Sequence, residues 1–106
     1  MKALILAAGR GERLKPITNN TPKCLVKIKG EPLLETILKK IEKTDFKEIF
    51  INTHYLEEKV FDFFMKYKGK LKVNFLKEKK LKGTGGTLID NLDLFKGHDL
   101  LVLHAD

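Results

Sequence analysis

The first apolar run of the chain constrains its fold more than any other feature. Between Lys2 and Ala7 the residues Ala3-Leu4-Ile5-Leu6-Ala7 follow one another without a polar break, and the run stops at Gly9. A strand with no polar face has to be covered on both sides, which is how the strands of parallel sheets read. The run is far short of the roughly 18 apolar residues that cross a bilayer. With only Lys2 before it and glycines behind it, it is wrongly flanked for a signal peptide. The expectation is a cytoplasmic protein with no membrane partner.

The next segment, Ala8 to about Glu31, is longer than an ordinary connection. It holds Gly9, Gly11, Pro16, Pro22 and Gly30, with at most a short strand at Leu25 to Ile28. Long loops in compact domains are usually functional or disordered. The apolar residues Leu14, Ile17, Leu25, Val26 and Ile28 argue for a packed, functional loop.

From Pro32 the apolar period turns helical, with Leu33, Leu34, Ile37, Leu38 and Ile41 on one face. Pro32 suits a first helical turn. Glu48 to Thr53 reads as a second strand. Leu56, Val60, Phe61, Phe64 and Tyr67 mark a second helix ending near Gly69, and Leu71, Val73 and Phe75 alternate with polar residues in a third strand. Gly83 to Gly86 opens a third helix carrying Leu88, Ile89, Leu92 and Leu94. Leu100 to Leu103 is a fourth strand, apolar on both faces.

Strands alternating with helices at this spacing give a parallel sheet with right-handed crossovers. The expected fold is α/β, a Rossmann-like three-layer sandwich with strand order 3-2-1-4. The first two helices cover one face and the third covers the other. Ligands of such sheets bind at the carboxyl ends of the strands beside the point where the order reverses. Those ends carry Gly9 to Arg13 and Asp106. An all-apolar fourth strand on an open edge is also a candidate surface for self-association.

One cysteine, Cys24, forms no internal disulfide, and the three histidines have no zinc-ligand spacing. The net charge of +7 suits a polyanionic partner. Its distribution is more telling than its size: 19 of the 21 basic residues are lysines, and the two arginines, Arg10 and Arg13, both lie in the glycine loop. A guanidinium binds phosphate through two parallel hydrogen bonds, which an ammonium does not reproduce. The loop is neither a G-x-G-x-x-G fingerprint, since Leu14 stands where the third glycine belongs, nor a P-loop. It is a glycine turn whose backbone N–H groups can wrap phosphates, with Arg10, Arg13, Lys15 and Lys23 supplying charge.

The stretch L-A-A-G-R-G-E-R-L-K-P-I-T, with T-P-K at Thr21 to Lys23, resembles the signature of the sugar-phosphate nucleotidylyltransferases. Within them it is similar to the mannose-1-phosphate guanylyltransferase and N-acetylmuramate-1-phosphate uridylyltransferase subgroup. Glu78 ahead of Gly83-Thr84-Gly85-Gly86, and His104-Ala105-Asp106 after a buried strand, agree in type and order. The resemblance implies an enzyme that moves an NMP from a nucleoside triphosphate to a sugar 1-phosphate and releases pyrophosphate, using Mg²⁺. It also implies residue roles. Ala7, Ala8, Gly9, Gly11 and Glu12 would line the nucleotide, Arg13 would hold the β- and γ-phosphates, and Lys23 would neutralise the α-phosphate, so Arg13 and Lys23 are the catalytic pair. Glu78 and the Gly83-Thr84 backbone would read the base, and Asp106 would bind the metal. The family's chains are longer, so residues 1–106 are expected to form one nucleotide-binding domain, incomplete on its C-terminal side.

A carboxylate at position 78 accepts from the N–H edge of guanine and repels the carbonyls of uracil or thymine, which favours GTP; cytosine's amino group would satisfy it too. Two other classes compete. A nucleotide-binding module without catalysis would use the same loop. A nucleic-acid-binding domain would start from the eight lysines between Lys66 and Lys82, with Tyr67 and Phe75 for stacking. The second is disfavoured, because Lys70 and Lys72 fall on the wet face of an edge strand, where charge commonly guards against aggregation.

Overall fold

The computed structural model describes residues 2–9, 15–78, 86–88, 91–97 and 99–105. Within them the chain runs β1 (Lys2–Leu6), β2 (Lys27–Ile28), β3 (Glu31–Pro32), α1 (Leu33–Glu42), β4 (Glu48–Thr53), α2 (Glu57–Met65), β5 (Lys72–Lys77), α3 (Leu92–Phe95) and β6 (Leu100–His104). β5, β4, β1 and β6 lie side by side in that order, and every pairing is parallel. This is the 3-2-1-4 order expected from the alternation of elements.

Alternate residues of β1 point to opposite faces, and the two faces carry different cores. Ala3 and Ile5 pack with Ile49 and Ile51 of β4 beneath Leu34, Leu38 and Ile41 of α1 and Val60 of α2. Leu4 and Leu6 pack with Phe50 and Phe95 on the other face, where the Phe50 and Phe95 rings meet edge to face at 5.2 Å. The three layers follow from this division. Each fully buried aliphatic side chain contributes about 1.5–3 kcal/mol by leaving water, so the central strands carry much of the stability.

Two local readings differ from the sequence expectation. The short strand expected at Leu25 to Ile28 is one arm of a hairpin, β2 pairing antiparallel with β3. Its turn, Lys29 (φ 55°) and Gly30 (φ 82°), uses the paired left-handed conformations of tight hairpins. Pro32 therefore ends β3 and caps α1 from outside the helix rather than filling its first turn. The long loop is packed down as expected, though not by all of the residues expected. Thr18, Pro22 and Cys24 are buried and Leu25 packs against the core, whereas Ile17 and Ile28 are among the exposed large apolar residues. The third helix is helical at 86–88 and again in α3, and residues 89–90 lie outside the described part.

Candidate functional site

The carboxyl ends of β1, β4 and β5 meet in a buried polar cluster. Asn52, the partner of Leu6 on one side and Leu76 on the other, is the next-to-last residue of β4 and is 4% exposed. Its Oδ1 accepts from the backbone N–H of Ala7 at 2.6 Å and of Ala8 at 3.2 Å, the two residues where the glycine loop leaves β1. Its Nδ2 is shared at 3.5 Å between Glu78 Oε2 and Thr87 Oγ1. Thr87 in turn donates its hydroxyl to Glu78 Oε2. One amide thus joins the loop after β1, the residue after β5 and the helical turn at 86–88.

Glu78 is 6% exposed, so it is no solvated surface charge despite its lysine neighbours. Its backbone N–H donates to the Thr53 carbonyl at 2.8 Å, and its own carbonyl accepts from His54 Nδ1 at 2.6 Å. Its second carboxylate oxygen, Oε1, is buried without a hydrogen-bond partner among the described residues. Buried acceptors left this way are rare and costly, and in a folded protein they call for an explanation.

The long loop is fixed to the same end of the sheet. The Tyr55 hydroxyl donates to the carbonyl of Thr18, which is fully buried, at 2.7 Å. Tyr55 stands in a turn that reverses at Leu56, whose φ of 51° is unusual for a leucine. Single 3-10 turns at Ile17–Asn19 and Lys23–Leu25 then carry the chain past Lys23, a half-buried residue, with Cys24 anchored in the core. On the far side, Ala105 donates to the Leu6 carbonyl at 2.9 Å, holding the end of β6 against the end of β1.

Of the residues singled out from the sequence, the structure therefore brings Ala7, Ala8 and Glu78 into one cluster through Asn52 and fixes the loop that carries Lys23 at the same end. Gly9 follows directly on the cluster. Arg10, Gly11, Glu12, Arg13, Gly83, Thr84 and Asp106 lie outside the described residues. The N–H groups of Ala7 and Ala8 are both engaged by Asn52. Asn52, Tyr55 and Thr87 were not singled out from the sequence. The signal for Asn52 was available: a lone amide in the strand E-I-F-I-N-T, at a position flanked by buried residues, needs partners to be there at all.

A family profile described as Nucleotidyl transferase matches residues 2–106. This chain belongs to that family. The bifunctional protein GlmU of Methanococcus maripaludis is 39% identical over all 106 residues, which correspond to 25% of its length. The D-glycero-alpha-D-manno-heptose 1-phosphate guanylyltransferase of Campylobacter jejuni is 33% identical over the whole chain, corresponding to 48% of its own. Among solved structures, HddC from Yersinia pseudotuberculosis complexed with GMP-PN superposes with a TM-score of 0.85 at 28% identity, covering 99% of this chain and 47% of that one. The nucleotidyl transferase chain thus spans about a quarter to a half of the length of these relatives. Among its described residues no helix is long and apolar enough to cross a membrane, and no group of three or more His, Cys, Asp or Glu side chains gathers to hold a metal.

Proposed function

We propose that this chain is the nucleotide half of a sugar-1-phosphate nucleotidyltransferase and that it binds a nucleoside triphosphate, GTP in preference, at the joined ends of β1, β4 and β5. The observation that supports this most directly is the Asn52 cluster, which links the phosphate loop to Glu78 at the sheet's carboxyl edge. The guanylyltransferase name of one relative and the GMP-PN bound to another agree with the choice of guanine.

The reaction is a displacement at the α-phosphorus. An oxygen of the sugar 1-phosphate forms the new P–O bond, the bond between the α-phosphorus and its bridging oxygen breaks, and pyrophosphate leaves with the electron pair. No covalent enzyme intermediate is needed, so the work of the chain is to place the reactants and to offset charge. Lys23 is assigned to the α-phosphate, where negative charge builds, and Arg13 to the departing β- and γ-phosphates. Gly9, Gly11 and Glu12 line the loop, with Ala7 and Ala8 fixing its root. For the base, Glu78 Oε2 is already engaged, so one guanine N–H goes to Oε1 and the other to the Gly83-Thr84 backbone. Since Oε1 is shielded from solvent, base binding has to open its surroundings.

Magnesium is usually held by one or two carboxylates with the remaining ligands from phosphates and water. Asp106 is the residue assigned to it, next in the chain to Ala105, which is held against Leu6. Bound Mg²⁺ would supply charge neutralisation between the phosphates. A nucleotide-binding module lacking catalysis would share all of these features except pyrophosphate release.

Calorimetry of the chain with GTP, CTP, UTP, dTTP and ATP plus Mg²⁺ tests the reading. GTP binding tightest is the expected result, and no binding to any of the five at millimolar concentration would defeat it. A pyrophosphate-release assay with sugar 1-phosphates separates an enzyme from a silent binding module. Association of two chains through β6 is a further part of the proposal, supported by its place at the edge of the sheet among the described residues and by a mainly apolar groove between it and α1 lined by Leu33, Ile37, Phe46, Leu101 and Leu103.

A further inference from the structure

We infer that Asn52 is a positioning residue for base selection: its amide sets the Glu78 carboxylate in register with the root of the phosphate loop, so that base and triphosphate are gripped in a fixed relation. The inference rests on the nucleotide reading above and adds to it a residue that touches neither base nor phosphate.

The chemistry of the amide carries the argument. Asn52 stands at an interior position of a parallel sheet, where a polar side chain is costly unless all its groups are met. The demands on its two ends are opposite. Toward β1 it faces two backbone donors, the N–H groups of Ala7 and Ala8, and needs an acceptor. Toward β5 it faces Glu78 Oε2 and Thr87 Oγ1 and needs a donor. Asparagine is the side chain of this size that offers an oxygen on one arm and an NH₂ on the other. Leucine would strand two buried N–H groups, and aspartate would bring a second carboxylate oxygen against Glu78.

The same geometry divides the labour of the carboxylate. Oε2 is occupied by Thr87 and Asn52, which fixes the plane of the group, and Oε1 is left buried and without a partner among the described residues. Moving the amide would therefore rotate Oε1 relative to the loop without removing either. Discrimination between bases would suffer more than the grip on the phosphates.

A swap of donors provides the test. In N52D the loop keeps its acceptor while the arm facing Glu78 becomes an oxygen. In the double variant N52D/E78Q that oxygen accepts from the amide nitrogen that E78Q introduces at the Oε2 place, and Thr87 turns its hydroxyl to donate to the same Asp oxygen while its own oxygen accepts from the new amide. Binding of GTP and of inorganic tripolyphosphate, each with Mg²⁺, is measured by calorimetry for wild type, N52D, E78Q and the double variant. N52D is expected to weaken GTP roughly tenfold, the scale of one disrupted buried polar contact. It should leave tripolyphosphate within about twofold and cost almost nothing when added to E78Q. A loss equal in both backgrounds, or equal for GTP and tripolyphosphate, would overturn the inference.

Melting temperatures of the four proteins give a second cycle. N52D lowered and the double variant restored is the expected pattern, and an N52D chain that does not fold beside a double variant that does carries the same meaning. No restoration counts against the coupling. Should the wild-type chain bind no triphosphate, the nucleotide reading fails and base selection with it, while the melting cycle still decides whether Asn52 and Glu78 are linked.

Discussion

The Tyr55 hydroxyl reaches the main-chain carbonyl of Thr18 at 2.7 Å, and this single contact ties the turn after β4 to the loop that carries Lys23. Thr18 is fully buried, so water does not stand ready to replace the phenol at its carbonyl. Y55F should lower stability by about 1 kcal/mol, the net worth of one such hydrogen bond. Urea denaturation measures the loss, and triphosphate affinity should fall with it because Lys23 loses its fixed support. An unchanged affinity would mean that the loop is held by its core anchors, Pro22 and Cys24, alone.

Replacing Asn52 by leucine removes both arms of its amide at once. The N–H groups of Ala7 and Ala8 would be left buried and unmet, at about 1–3 kcal/mol each. Chemical denaturation of N52L should show a loss of at least about 2 kcal/mol, larger than for any exposed asparagine substitution.

Lys23 is assigned to the phosphorus under attack. K23A should weaken GTP binding by roughly ten- to a hundredfold, the value of one charge-assisted hydrogen bond, and should reduce the dependence of affinity on salt. Calorimetry at two ionic strengths reads both effects. Equal affinity in wild type and variant would remove Lys23 from the site.

Tyr67 gives a pH dependence unconnected with the site. Burial first, and then its hydrogen bond to the Glu42 carboxylate, push its phenol up to about 12. An unfolded tyrosine ionises near 10. Below about pH 10 both states keep the proton and the stabilisation is complete; between about 10 and 12 only the folded chain keeps it, so stability falls as pH rises through that window. The chain has two tyrosines, so absorbance titration of Y55F isolates Tyr67. Its ionisation should appear near 12 while the chain stays folded, and Y67F should flatten the alkaline loss of stability.

Leu101 on β6 is 40% exposed. L101K should abolish concentration-dependent association of the chain in sedimentation velocity, since a charge on an edge strand opposes pairing. A wild-type chain that sediments as a monomer at all concentrations would dispose of the self-association proposal.

The sheet order was legible because its signals are periodic. The apolar runs at Ala3 to Ala7 and Leu100 to Leu103 read as strands, and helices of the right length separate the rest; β1 is buried as its run requires, whereas β6, read as a buried strand, is only partly covered among the described residues. The hairpin of β2 and β3 was half hidden, because strands of two residues have no period and Pro32 speaks equally for a helix start. Glu78 could be located from its family motif, but its burial could not, since the lysines around it describe a wet surface. Asn52 and Tyr55 escaped notice because their roles depend on partners distant in the chain: the amide meets Ala7 and Thr87, and the hydroxyl meets Thr18. Spacing along one chain carries no record of such meetings.

The placement of β1 has a consequence for how the protein is made. Lys2 pairs with Leu100, so one flank of β1 is completed only by a strand that leaves the ribosome long after it. Until then that flank, an apolar ribbon with unspent backbone groups, has no lawful mate, and a wrong one is available in any neighbouring copy. α1 and α2 can shield one side of the nascent strand but not its rim. Slow elongation therefore works against this architecture, and expression at low temperature with a holding chaperone should recover more of the chain than the same slow synthesis without one.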